Sequence, residues 1–264
     1  MVDTAAGSLT FIGLGLYDAY DLSVKAHQAL ESCDRLFAEF YTSVLIEDSI
    51  QMLEKIAGKP ITVLSRAQTE RADVIIHAAT TQNVGFLTAG DSMTATTHVD
   101  LRIRAINQGI NTHVIHGASI ISAAPGLLGL QHYKFGRITT LVYPDKDYFP
   151  MSPYDFIHQN YSLGLHSLIL LDIQADQHRF MTANEAIDIL KQMEAAKKKQ
   201  LITNDTLLCV LGQVGSSHPT LRADRLEVLE HEDFGPPLHT LIIPGTIHFM
   251  EREALEILAG LSHK

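Results

Sequence analysis

Asp91 stands where an apolar run ends, in Phe86-Leu87-Thr88-Ala89-Gly90-Asp91-Ser92-Met93-Thr94-Ala95-Thr96-Thr97-His98. A carboxylate surrounded by the small donors Ser92, Thr94, Thr96 and Thr97 can grip a hydroxyl or ammonium group of a ligand. The same acid can also serve as a turn or helix cap. A second turn of this kind, Phe11-Ile12-Gly13-Leu14-Gly15-Leu16-Tyr17-Asp18, lies near the start of the chain. Two strand-to-turn motifs built on small residues point to a small-molecule site. Gly13-Leu14-Gly15 invites a dinucleotide reading, but Asp18 stands where the third glycine of that fingerprint belongs. An anion there repels a pyrophosphate. Glu39, the candidate ribose acid, lies farther along than the usual spacing of about 20 residues.

Other chemistries find less support. The 14 histidines include no His-Glu-x-x-His and no Cys/His cluster with ligand spacing, so no metal site is expected. His113 and His116 flank a strand at a spacing that puts them on opposite faces. His239 opens an apolar run just after Pro236-Pro237, whose rigid backbone fixes its position. Core packing, capping and ligand contact all fit it. There is no Gly-x-Ser-x-Gly, no P-loop and no carboxylate pair at catalytic spacing. Chemistry carried by a reactive cofactor, with the protein supplying position, fits better.

A chain of 264 residues, 46% hydrophobic and 19% charged, suits a folded protein with one large core or two modest ones. A formal net charge of -10 disfavours binding to a phosphate backbone, which relies on Lys and Arg. Cys33 and Cys209 both sit in apolar surroundings and read as reduced, packed thiols of a cytoplasmic protein. No signal peptide is expected, and no apolar run approaches the roughly 20 residues that span a bilayer.

These turns need a scaffold that ends strands at one edge. The pattern predicts strands over 9–14, 36–40, 61–64, 84–88 and 112–115. Helices are expected over 22–30, 46–57, 71–80 and 97–108, with Asp21 capping the first. This β-α-β-α order implies a parallel sheet covered by helices, with its ligand beyond the carboxyl ends of the strands. From Gly117 to Gly136 the composition turns to Gly, Ala, Ser and Pro, marking a domain junction with a short helix inside it. The expected domains are 1–117 and 118–264, both α/β. In the second, strands are expected over 165–172, 207–214 and 239–243. A capping box at Thr182-Ala183-Asn184-Glu185 starts a helix ended by Lys197, Lys198 and Lys199, which read as a solvated last turn. A closing helix is expected over 251–261.

Phe11 to Leu16, Phe37-Ala38-Glu39-Phe40-Tyr41-Thr42-Ser43, and Gly90-Asp91 with Ala95-Thr96-Thr97-His98 closely resemble the diphthine synthases. So do Tyr133-Lys134-Phe135-Gly136, Met181-Thr182-Ala183-Asn184-Glu185-Ala186 and Val214-Gly215-Ser216. The resemblance runs from Leu9 to about Ala259. The glycine turns are shared with the wider tetrapyrrole-methylase-like superfamily. The resemblance implies a class III methyltransferase fold, with S-adenosyl-L-methionine in a cleft between two α/β domains. It also implies a cytoplasmic homodimer that binds neither nucleic acid nor membrane directly. The implied reaction methylates the amino group of the 3-amino-3-carboxypropyl-histidine on translation elongation factor 2. Archaeal-type members stop at the trimethylated product, eukaryotic ones also esterify the carboxylate, and the compact length fits the archaeal type. The alternatives are a tetrapyrrole or ribosomal-RNA methylase of the same fold, or a non-catalytic adenosine-binding module.

Transferred residue by residue, the implied cofactor contacts are Leu16, Asp91, Thr94, Ser119, Ile120, Leu171, Val214 and His239. Thr94, Ile120 and Val214 match the family type loosely, which implies contact through backbone atoms. No catalytic residue is implied. The second turn departs from the family's Pro-Gly-Asp-Pro, with Ala89 and Ser92 in place of the prolines, which loosens the turn. The Ala123-Ala124-Pro125-Gly126 stretch is also a residue longer than usual.

Overall fold

In the computed structural model, which describes residues 7–46, 49–145 and 148–262, the apolar runs form two five-stranded sheets, with a separate two-stranded pair besides. The chain divides into two compact units. One runs to Ile120 and takes in Ala175–Gln177; the other comprises Ile121–Gln174 and the chain from His178 onward.

The first unit contains β1 (Ser8–Gly13), α1 (Val24–Ser32), β2 (Arg35–Glu39), α2 (Ser49–Ala57), β3 (Ile61–Leu64), α3 (Arg66–Arg71), α4 (Asp73–Ala79), β4 (Asn83–Thr88), α5 (His98–Asn107) and β5 (Asn111–Ile115). Its sheet runs β3-β2-β4-β1-β5 and is parallel throughout. Alternate residues leave on opposite faces. Phe11, Phe37 and Phe86 pack with Ile75, Leu101 and Ala105, whereas Ile12, Leu36 and Leu87 pack with Ala26, Leu30 and Leu53. Both faces are buried, as a parallel sheet requires. The helix after β1 covers one face and the helix after β4 the other. The adjacent ends of β1 and β4 are therefore a topological switch point, where such sheets bind ligands.

Several boundaries differ from the sequence expectation. The first helix starts at Val24, capped by Ser23 Oγ on Ala26 N at 3.1 Å. Asp21 instead lies in a short 3-10 turn, Ala19–Asp21. The helix expected over 71–80 is two helices parted at Ala72, which takes φ 61°. The helix expected over 46–57 spans Ser49–Ala57. Ile46 lies outside it with its N–H on Tyr17 O, and residues 47 and 48 of that expectation lie outside the described residues.

The second unit begins with α6 (Ile120–Leu128), the helix expected in the junction. It contains β6 (Thr139–Leu141), α7 (Ser152–Ser162), β7 (Ser167–Leu171), β8 (Ile173–Gln174), β9 (Arg179–Phe180), α8 (Ala183–Lys197), β10 (Leu207–Gly212), β11 (Thr220–Arg225), α9 (Leu226–Leu229), β12 (His239–Ile243) and α10 (Phe249–Ala259). Its sheet runs β11-β10-β12-β7-β6, with β6 and β7 parallel and the other pairs antiparallel. The Thr182–Glu185 capping box forms as expected. At the other end Lys198 turns left-handed and Lys197 pairs with Asp155 at 2.8 Å. The closing helix starts two residues early, through a second capping box between His248 and Glu251.

Candidate functional site

The two glycine turns are joined at the end of the parallel sheet. Leu14 N donates to Thr88 O at 2.9 Å, Gly15 N to Gly90 O at 3.2 Å, and Gly90 N to Gly15 O at 2.6 Å. This bridge extends the β1–β4 pairing by antiparallel contact. Glycine is required here for two reasons. Gly15 and Gly90 take φ of 91° and 75°. A Cβ on Gly117, just past β5, would lie 2.3 Å from Gly90 O and 2.8 Å from Gly13 C. Three strand ends thus meet backbone to backbone, while above Gly90 a Cβ would meet nothing within 4 Å.

Asp91 projects from this junction and is 7% exposed. Its Oδ1 accepts from Met93 N at 2.9 Å and Thr94 Oγ1 at 3.1 Å, and Oδ2 lies 2.7 Å from His116 Nδ1. Burial acts to raise its pKa. The Met93 N–H, His116 and Thr94 outweigh that and hold the carboxyl below its ordinary range. The acid is both a turn acid and a retained negative charge. Thr88 Oγ1 and Ser92 Oγ beside it are buried, with no hydrogen-bond partner among the described residues.

The first turn is not a phosphate cradle. Leu16 N and Tyr17 N both donate to Asp21 Oδ2, at 3.0 and 2.7 Å. Asp21 occupies the amides that a pyrophosphate would need, and a Cβ on Gly15 would fall 2.3 Å from Asp21 Cβ. Glu39 is fully buried and bound by its own loop, so it is no ribose acid.

Of the sequence-predicted contacts in this unit, Leu16, Asp91 and Thr94 lie on the two joined turns. Ser119 and Ile120 follow Gly117 at the end of β5. In the second unit, register brings the others into one row. Gly212 pairs with His239, and Thr240 with Leu170. The end of β7 at Leu171, the start of β12 at His239 and the turn after β10 at Val214 therefore share one edge of that sheet. His239 is 5% exposed, and its Nδ1 accepts from Ala183 N, at the start of α8, at 3.0 Å. Burial pushes its pKa down. The neutral ring with Nδ1 accepting carries its hydrogen on Nε2, a buried donor with no partner among the described residues.

Sequence reasoning missed the partner of Asp91. His116 follows β5, 25 residues beyond Asp91, and is 74% exposed. Only the strand order β4-β1-β5 brings the two together. It also missed His98, buried behind the second turn with Nδ1 3.0 Å from Ser92 O.

The donor set fits a methyl donor that carries a sulfonium and an ammonium group. In the first unit it offers a retained carboxylate, open space above Gly90, and two buried hydroxyl groups without partners among the described residues. Among the described residues no group of His, Cys, Asp and Glu could hold a metal ion.

Residues 8–211 match the family model of the Tetrapyrrole (Corrin/Porphyrin) Methylases. The chain is 48% identical over 253 residues to a diphthine synthase of Methanosphaera stadtmanae, covering 96% of each chain. It is 46% identical over 252 residues to that of Methanothermobacter thermautotrophicus, again covering 96% of each. A crystal structure of a diphthine synthase superposes with a TM-score of 0.88 at 36% identity, covering 96% of both chains.

Proposed function

The chain belongs to the diphthine synthase family of tetrapyrrole-type methylases, and on that premise we propose that it methylates the modified histidine of translation elongation factor 2. The acceptor is the amino group of the 3-amino-3-carboxypropyl-histidine, the donor S-adenosyl-L-methionine. The observation that carries this reading is the 48% identity to a diphthine synthase over 96% of the chain.

The proposed donor contacts are Leu16, Asp91, Thr94, Ser119 and Ile120 in the first unit and Leu171, Val214 and His239 in the second. When bound, S-adenosyl-L-methionine supplies a methyl group already activated on a sulfonium, so no side-chain nucleophile is required. Asp91 contributes a fixed negative charge toward that cation. A carboxylate offers about four lone-pair positions, and three are engaged by Met93, Thr94 and His116, leaving one for a ligand. Thr88 and Ser92 offer hydroxyls at the same turn, and His239 Nε2 offers an N–H to an acceptor atom. What these residues must achieve is alignment. The acceptor nitrogen has to lie within about 3–3.5 Å of the methyl carbon, in line with the sulfur. The nitrogen must be neutral when it attacks, and water or the substrate's own carboxylate can take the proton.

The same reading makes the protein a cytoplasmic homodimer, supported by the family resemblance. No helix among the described residues is long and apolar enough to cross a membrane. The test is incubation with labelled S-adenosyl-L-methionine and elongation factor 2 bearing the aminocarboxypropyl-histidine. Labelled factor supports the proposal. Donor binding without transfer rejects the enzyme reading, and transfer to a tetrapyrrole or an rRNA fragment instead redirects it.

A further inference from the structure

Glu39 and His98 are buried ionisable groups that the proposed transfer leaves without a role. Glu39 ends β2 fully buried, and His98 opens α5 with 2% exposure. Glu39 Oε2 accepts from Tyr41 N and Thr42 N, both at 3.1 Å, and Oε1 accepts from Thr42 Oγ1. His98 Nδ1 lies 3.0 Å from the carbonyl oxygen of Ser92. Phe86 packs edge-on against its ring, with centroids 5.0 Å apart. His98 Nε2 faces Glu39 Oε1 at 3.5 Å and has no hydrogen-bond partner among the described residues.

A carbonyl oxygen only accepts, so Nδ1 must carry a hydrogen. In a neutral ring Nε2 would then turn a lone pair toward a carboxylate, a repulsive contact between two buried groups. The arrangement needs one more proton. Two main-chain N–H groups and a hydroxyl already donate to Glu39, which favours its charged form. The remaining proton therefore belongs on the imidazole.

We propose that Glu39 and His98 form a buried carboxylate–imidazolium pair that positions the donor-binding turn by holding the Ser92 carbonyl. This rests on the reading of that turn as the donor site. Neither residue touches a reacting atom; both act through Ser92, which sits between Asp91 and the Met93 amide that Asp91 binds. The pair also ties the Phe37–Ser43 segment to the turn. Both contacts, to Glu39 and to the Ser92 carbonyl, hold only while the ring carries a hydrogen on each nitrogen. A neutral ring that keeps its hydrogen on Nε2, toward Glu39, turns the Nδ1 lone pair to the Ser92 carbonyl and releases it.

Tyr41 feels the charge of Glu39, and Asp91 precedes Ser92 in the chain. Tyr41 has Arg66 at 5.9 Å from its ring centroid. Burial first, then the charges of Glu39 and Glu70, push the Tyr41 hydroxyl up to about 12, so it stays neutral. Asp91 is already bound by His116.

The experiment uses the full chain. Nitrogen NMR of labelled histidine should show His98 protonated on both nitrogens at pH 7. Donor affinity, measured by calorimetry, should fall at least about tenfold as that proton is lost. In Glu39→Gln an amide N–H can donate to a neutral Nε2, so donor affinity should persist and become flat with pH. His98→Ala should raise the donor KM about tenfold while changing kcat at saturating donor much less. A neutral His98 at pH 7, or identical pH dependence of donor affinity in the wild type and Glu39→Gln, overturns the proposal. A wild type that binds no donor at any pH overturns the donor reading and the positioning role with it. The NMR spectrum then still decides the charge on His98.

Discussion

Glu251 should control the acid stability of the second unit, and its surroundings set the size of the effect. Its fully buried carboxylate takes Gln131 N at 2.9 Å, His166 Nε2 at 3.0 Å, His248 N at 2.8 Å, and Lys134 Nζ. Burial acts to raise its pKa, but these donors prevail and bring it from 4.5 down to about 2. At 1.36 kcal/mol per pKa unit, that depression corresponds to about 3 kcal/mol of folding stability. Because the folded pKa lies below the unfolded one, the contribution is complete above the unfolded value of 4.5 and is lost as pH falls toward about 2. Glu251→Gln removes the charge, and either orientation of its amide turns an NH2 group toward two donors. The variant should lose about 3 kcal/mol or more at neutral pH. The chain has no Trp, so urea unfolding is best followed by far-ultraviolet circular dichroism, with hydrogen exchange of the α10 amides to localise the loss. The gap between wild type and variant should narrow as pH drops below 4.5. A gap under about 1 kcal/mol at neutral pH, or one that stays constant into acid, would show that Glu251 does not set the acid stability.

Three further outcomes follow from the same geometry. Asp91→Ala should weaken S-adenosyl-L-methionine binding at least about tenfold by calorimetry, and an unchanged affinity rejects its assigned role. Gly117→Ala places a methyl group 2.3 Å from Gly90 O and should cost about 1–3 kcal/mol together with donor affinity. Gly58→Ala, with φ 66° but open space around the added carbon, should leave donor affinity alone, and equal effects of the two on binding would discount the glycine junction. Burial raises the pKa of both the Cys33 and the Cys209 thiol, and both are buried. Each should react with Ellman's reagent only after unfolding; fast labelling of the native protein contradicts the packing described.

What was legible in the sequence is what depends on neighbours along the chain. The Gly13-Leu14-Gly15 and Gly90-Asp91 turns stand out because an apolar strand ending in glycine has few other meanings. The Thr182–Glu185 box is likewise local and forms as read. Asp21 misleads for a long-range reason: its carboxylate is drawn back to Leu16 N and Tyr17 N, which leaves Ser23 to cap α1. The break at Ala72 carries no glycine or proline to announce it. β11 escapes notice because Thr-Leu-Arg-Ala-Asp-Arg is polar and only partly buried. The pairs Asp91 with His116, Glu39 with His98 and Glu251 with His166 all span sheet order or separate elements. None has a spacing that pattern reading can detect.

The central claim is methyl transfer to the modified histidine of elongation factor 2. Mass spectrometry of the factor, after incubation with this protein and S-adenosyl-L-methionine, tests it most directly. The expected result is methyl addition on the amino group of the aminocarboxypropyl-histidine, and its loss when Asp91 is replaced by alanine. An unmodified histidine beside a protein that demonstrably binds the donor would contradict it.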